Sequence, residues 1–153
     1  MIRLANVDDV VDISKLLLQI HKIHAELRPD LFKFEGKKYD AVELERIISH
    51  KDKSPIFVYI DDDKIVGYAF CIIVNHFDAS SDYKNLYIDD LCVNQNCRGK
   101  GIGTALYNYV LDYAKSIGCY NVTLNVWNGN DDALKFYKNV GMKVQKICME
   151  KIL

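Results

Sequence analysis

Apolar residues along this chain recur with two different periods, and the switches between them mark out the elements. Val10, Ile13, Leu17, Ile20 and Leu27, with His24 in the same series, follow at three- and four-residue steps, the repeat of one helix face. Asp8 and Asp9 suit the first turn of that helix and Pro29 its end. A short strand precedes it at residues 2–5. Residues 33–38 are polar around Gly36 and read as a loop, and a weaker helical period through Val42, Leu44, Ile47 and Ile48 covers residues 39–50. After Pro55 the pattern becomes that of strands: residues 56–60, a hairpin turn at Asp61-Asp62-Asp63-Lys64, then residues 65–74. A polar connection is expected over 75–85, and a buried strand over 86–93.

The helical period returns with Ile102, Ala105, Leu106, Tyr109, Val110, Tyr113 and Ile117 facing inward, and Gly118 caps this helix. Residues 122–126 read as a strand. Asn130 is a suitable N-cap for a helix whose stripe is Ala133, Phe136, Tyr137 and Val140, ended by Gly141. Residues 142–152 read as the last strand. The order β-α-α-β-β-β-α-β-α-β predicts an α/β chain with one mixed, mostly antiparallel sheet and helices on both faces.

Composition narrows the function classes. At 153 residues, half of them apolar, the chain is expected to form a single domain over 1–153. Its net charge of −1, with Lys and Arg scattered, points away from nucleic acid and anionic membranes. No stretch approaches the ~18 apolar residues of a bilayer span, and no leader-like segment opens the chain, so a cytoplasmic protein is expected. Cys71, Cys92, Cys97, Cys119 and Cys148 form an odd set without a Cys-x-x-Cys pair, which predicts reduced thiols and no metal site.

The chemistry concentrates between a strand and a helix, at Arg98-Gly99-Lys100-Gly101-Ile102-Gly103-Thr104. Alternate glycines allow close backbone approach to a ligand, and the following helix adds unpaired N–H groups and the positive end of its dipole. Such a loop suits a phosphate or pyrophosphate. It is not a Walker loop, because Gly101 follows Lys100, nor a dinucleotide fingerprint, because Thr104 stands where the third glycine belongs.

Arg-x-x-Gly-x-Gly followed, after another strand, by Asn130-x-x-Ala133-x-x-Phe136-Tyr137-x-x-x-Gly141 resembles the acyl-CoA-binding core of the GNAT acetyltransferase superfamily. Asp89-Asp90-Leu91-Cys92-Val93 and Trp127-Asn128 resemble its polyamine acetyltransferase branch. The resemblance implies a sheet splayed between the fourth and fifth strands. It also implies acetyl-CoA as co-substrate and a small-molecule or peptide amine as acceptor, in a chain for which a homodimer is allowed. It assigns the backbone of Leu91, Cys92 and Val93 to the pantetheine arm. The amides of Arg98, Gly99, Lys100, Gly101, Ile102 and Gly103 and the Thr104 hydroxyl are assigned to the pyrophosphate, and Asn130 to a further cofactor contact. Tyr137 becomes the general acid, Asp89 the proton acceptor, and Asp89, Asp90, His24 and Glu26 the acceptor-binding set.

Most of these residues also have a structural reading. Tyr137 lies on a helix stripe and could be core; Asn130 could serve only as a cap. Asp89 and Asp90 are adjacent on a strand, so they are expected on opposite faces, one of them a structural carboxylate. His21 and His24 share a helix face running from core to rim. Cys92 has no histidine near it in sequence to make it a nucleophile. A non-catalytic acyl-CoA-binding module and an enzyme acting on protein N-termini or lysines remain alternatives.

Overall fold

A computed structural model describes residues 1–153. Five strands form one sheet in sequence order: β1 (Ile2–Leu4), β2 (Ile56–Asp61), β3 (Lys64–Phe77), β4 (Asp82–Val93) and β5 (Asn121–Leu124). All neighbours are antiparallel except β4 and β5, which are parallel because helix α3 (Ile102–Ser116) crosses between them. Helices α1 (Val10–Leu27) and α2 (Ala41–Ser49) cover one face; α3 covers the other, where Phe136 of α4 (Asp131–Asn139) and the adjoining Val140 also pack. On the first face Ile13, Leu17, Leu44 and Ile48 pack on Val58, Tyr68 and Phe70. On the second, Ile102, Leu106 and Val110 pack on Phe57, Ala69, Leu86 and Ile88.

Local signals act where they were expected. The Asn6 side chain accepts from the Asp8 amide at 2.9 Å and Asp9 accepts from the Asn6 amide at 2.8 Å, so a short turn leads into α1. Arg3 on β1 grips Asp9 with two hydrogen bonds of 2.6 and 2.9 Å, fixing the helix start to the sheet. Asp62 and Asp63 take positive φ (46° and 58°), the conformation a two-residue hairpin needs to match strand twist.

Three expectations need correction. The polar stretch 75–85 is not a connection: β3 and β4 run on as a solvated ribbon through His76, stacked on Tyr83 at 4.3 Å, to a turn at 78–81 that Asp78 closes by accepting from Ser80. Tyr109 lies on the exposed side of α3, and Tyr107 and Ala114 complete the buried stripe instead. The last strand is absent. Beyond Met142 the chain pairs with no strand and residues 143–153 are exposed, since apolar and β-branched residues supply strand propensity but not a partner.

Candidate functional site

The site begins where β4 and β5 part. Their ladder runs from Asn85↔Asn121 to Ile88↔Leu124 and stops. Asn85 reinforces the paired end by donating to Asn121 Oδ1 at 2.8 Å and Thr123 Oγ1 at 3.1 Å. Past Ile88, β4 keeps β3 on one side but has no strand on the other. A cavity of about 480 Å³ opens there, walled by residues 88–91 of β4 and 124–127 at the end of β5. Asn130, Ala133 and Tyr137 of α4 enter from one side, with His21 and His24 of α1 and Phe32, Lys37 and Lys38 of the following loop from the other.

Asp89 and Asp90 do not point to opposite faces. Phe70 pairs with Asp90 and Cys71 with Ile88, which leaves Asp89 as the extra residue of a β-bulge. The bulge breaks the alternation, and both carboxylates reach the same cation: Lys38 Nζ lies 2.7 Å from Asp89 Oδ2 and 2.7 Å from Asp90 Oδ2. Burial pushes the Asp90 carboxyl up, and Lys38 opposes that rise. For Lys38 burial acts downward, but the two carboxylates outweigh it and hold the ammonium above the ordinary lysine value. Tyr39 adds a long hydrogen bond of 3.4 Å to Asp89.

The other half of the cavity is aromatic. Phe32 meets Trp127 edge-on at 5.7 Å and His24 at 5.9 Å, and the Arg28 guanidinium lies 5.6 Å from the centre of the Trp127 ring. Burial, then nearby Lys38 and His21, lower the pKa of His24, so its imidazole is neutral at pH 7. His21 is buried and its Nε2 meets the Lys33 carbonyl at 2.6 Å, which anchors the loop bearing Lys38. Tyr137 lines the cavity; burial and then Asp90 push its hydroxyl above the ordinary phenol range. The phenol therefore keeps its proton at neutral pH. The Asn130 side chain caps α4 by accepting from the Ala133 amide at 3.3 Å and also borders the cavity.

At the end of β4, Leu91 lines the cavity while the Cys92 side chain turns into the core. Burial raises the Cys92 thiol to about 12, so it is not a thiolate nucleophile. Gln19 of α1 donates to the Val93 carbonyl at 3.0 Å and accepts from the Gln95 amide at 3.1 Å, stapling helix to strand end. Gly99 and Gly101 then take φ of +78° and +77°, and α3 starts at Ile102 with no acidic side chain in its first turn. Thr104, Lys100 and Arg98 are exposed, and Arg98 Nε donates to the Val93 carbonyl at 3.3 Å.

The structure thus gathers Asp89, Asp90, His24, Leu91, Asn130 and Tyr137 around one cavity, at the end of a strand that continues into the glycine loop. Glu26 is exposed on α1 and is not among the residues lining the cavity. Lys38, Phe32 and Gln19 were not anticipated; a loop lysine and an isolated loop aromatic carry no periodic signal. No three His, Cys, Asp or Glu side chains gather as a metal-binding group.

Comparison with known proteins agrees with this geometry. An uncharacterized N-acetyltransferase from Methanocaldococcus jannaschii is 28% identical over 146 residues, 95% of this chain; the chain spans only 62% of that relative's length. A glucosamine 6-phosphate N-acetyltransferase from Trypanosoma brucei brucei is 28% identical over 144 residues, covering 90% of this chain and 94% of its own. The crystal structure of a mutant BH1408 protein from Bacillus halodurans superposes with a TM-score of 0.93 at 31% identity, over 100% of this chain and 99% of that one. The family model for the acetyltransferase (GNAT) family matches residues 19–142, and with the mixed sheet, the parted strands and the glycine loop in place, the chain belongs to that family.

Proposed function

We propose that the protein transfers an acetyl group from acetyl-CoA to a primary amine by direct attack on the thioester. The observation that carries this reading is the convergence of a protonated phenol, Tyr137, and a carboxylate pair, Asp89 and Asp90, on the cavity where β4 loses its second neighbour. The unpaired edge of β4 at Leu91 and Val93 would accept the pantetheine arm as an added strand. The first-turn amides of α3 and the backbone of the glycine loop would hold the pyrophosphate, with Arg98 and Lys100 adding positive charge.

In this reading Asp89, directly or through water, takes the proton from the incoming ammonium, and the neutral His24 beside it is a second acceptor. The freed amine nitrogen forms a bond to the acyl carbon. A backbone amide near Val93 stabilises the oxyanion, and Tyr137 gives its proton to the departing thiolate as the C–S bond breaks. The bound position of Lys38 supports a primary alkylammonium as acceptor, because a side chain of that chemistry already rests between the two carboxylates. This favours a polyamine-like small molecule or a lysine side chain over an uncharged acceptor. The five free cysteines suit a reducing cytoplasmic setting.

Thiol release from acetyl-CoA, measured across small polyamines, aminoglycosides, hexosamine phosphates and peptides, tests the assignment. Turnover with a primary alkylamine is expected; binding of acetyl-CoA with no turnover on any amine would identify a non-catalytic module. Tyr137→Phe should lower kcat by ~10²–10⁴-fold while leaving acetyl-CoA affinity near wild type. A variant within about threefold of wild type, far below that range, would remove Tyr137 from the mechanism.

A further inference from the structure

Lys38 stands inside the acceptor cavity because the chain on either side of it is fixed. Ahead of it, His21 Nε2 meets the Lys33 carbonyl at 2.6 Å, and Gly36 lies so close to that imidazole that a Cβ there would fall 3.0 Å from Nε2. Behind it, Asp40 opens α2 with a reciprocal cap: its side chain accepts from the Glu43 amide at 2.8 Å and its own amide donates to Glu43 at 3.0 Å. From this braced loop the Lys38 side chain reaches into the cavity and ends between Asp89 and Asp90, its ammonium 5.8 Å from the centre of the Tyr39 ring.

An amine is thus placed where the acceptor amine belongs. Its nitrogen touches the carboxylate that would take the acceptor proton, in the cavity that the Tyr137 side chain also lines. Leu91, whose edge would pair with the pantetheine arm, is the next residue after Asp90, a strand rise of ~3.3 Å. The loop is already held by His21 and by the Asp40 cap, so anchoring it does not account for an ammonium at this place.

We infer that the chain acetylates its own Lys38, a step that rests on the acetyl transfer proposed above. The Lys38 ammonium gives a proton to Asp89, its nitrogen bonds to the acyl carbon, the C–S bond breaks, and the thiolate takes the Tyr137 proton. A second proton lost from the nitrogen returns to Tyr137, and the one on Asp89 goes to water. One acetyl-CoA therefore yields one N-acetyllysine, free coenzyme A and one proton. The product carries no charge, which leaves Asp89 and Asp90 without their counter-ion and open to an external ammonium.

Purified protein incubated with acetyl-CoA and no added amine should gain about 42 Da, one acetyl group in place of one hydrogen, and peptide mapping should put it on Lys38. Unassisted acylation favours exposed, neutral amines. The Lys38 side chain is 30% exposed and its ammonium is held above the ordinary lysine value, whereas Lys15 is 70% and Lys115 75% exposed. Modification of Lys38 ahead of those two therefore reports the site; modification of them first, or of no lysine, overturns the inference. The rate should not depend on protein concentration, and a rate that rises in proportion to it overturns transfer within one chain. Butylamine, which reproduces the Lys38 side chain, should slow the reaction at Lys38 by about tenfold at about ten times its Kd, by mass action on the shared carboxylates. An unchanged rate overturns the inference. Thiol release with external amines, measured on the same sample, separates this step from the reading beneath it. Turnover without modification of Lys38 removes self-acetylation alone, and no release with any amine removes both.

Discussion

Lys38 Nζ lies 2.7 Å from both Asp89 and Asp90, so one cation serves two carboxylates on a partly desolvated wall. Removing it leaves that pair uncompensated, and an incoming ammonium becomes the replacement rather than a competitor. Lys38→Met is therefore expected to lower the KM for an alkylamine acceptor by about tenfold, equivalent to ~1.4 kcal/mol. An unchanged or higher KM in steady-state assays would show that the acceptor does not take the Lys38 position. The pH dependence should move as well. Burial raises the Asp90 carboxyl and Lys38 holds the rise in check, so in Lys38→Met the carboxyl rises further. Activity that needs the ionised form should then fade at higher pH than in wild type, visible as a shifted acid limb of kcat/KM. Because the bulge turns Asp89 and Asp90 to the same cation, Asp89→Asn and Asp90→Asn should both raise the acceptor KM, with loss of kcat greater for Asp89→Asn.

At the scale of elements, the junction of β1 with α1 and the turn into α3 are the informative places. Asp9 is buried, accepts two bonds from Arg3 and one from the Asn6 amide, and has its pKa held below the ordinary carboxylate value, first by Arg3. Asp9→Asn should destabilise the fold by about 2 kcal/mol, the scale of hydrogen bonds to a charged group, read from urea unfolding. The sign with pH follows from linkage. A carboxyl with a depressed folded pKa contributes fully above its unfolded value near ~3.9 and loses that contribution as pH falls through the folded value. The stability difference between wild type and Asp9→Asn should accordingly shrink below about pH 4 and not before. In the loop before α3, Gly101 has φ +77°, yet a Cβ there would meet no protein atom within 4 Å. Gly101→Ala thus costs backbone strain of order 1 kcal/mol and places its methyl group only in the path of a ligand. Its Tm should fall by a few degrees at ~2–4 °C per kcal/mol. The stabilisation by excess acetyl-CoA, ~2.7 kcal/mol at a hundredfold over Kd in wild type, should vanish. A retained shift would separate the loop from the cofactor.

Much of the local order was legible in the sequence of the whole molecule: the repeat of the α1 stripe, the hairpin turn at Asp62 and Asp63, the Asn130 cap and the glycine loop all depend on neighbours within a few positions. Tyr137, Asn130 and Asp89, which line the cavity, could be singled out for a similar reason, since they lie at set spacings within short motifs, whereas Lys38 and Phe32 could not. Their relations were not. The bulge that turns Asp89 and Asp90 to one side arises from the register of β4 against β3, which places Phe70 opposite Asp90 and Cys71 opposite Ile88. Lys38 enters the cavity from a loop 52 residues away in sequence, held there by His21 and the two carboxylates. The last strand shows the same division. Its apolar residues Val144, Ile147, Met149 and Ile152 are written in the sequence, but a strand needs an edge to bind, and no strand of the sheet pairs with it. Periodicity and capping are short-range properties that sequence alone determines; register, counter-ions and strand partners are long-range contacts, and only the tertiary structure decides them.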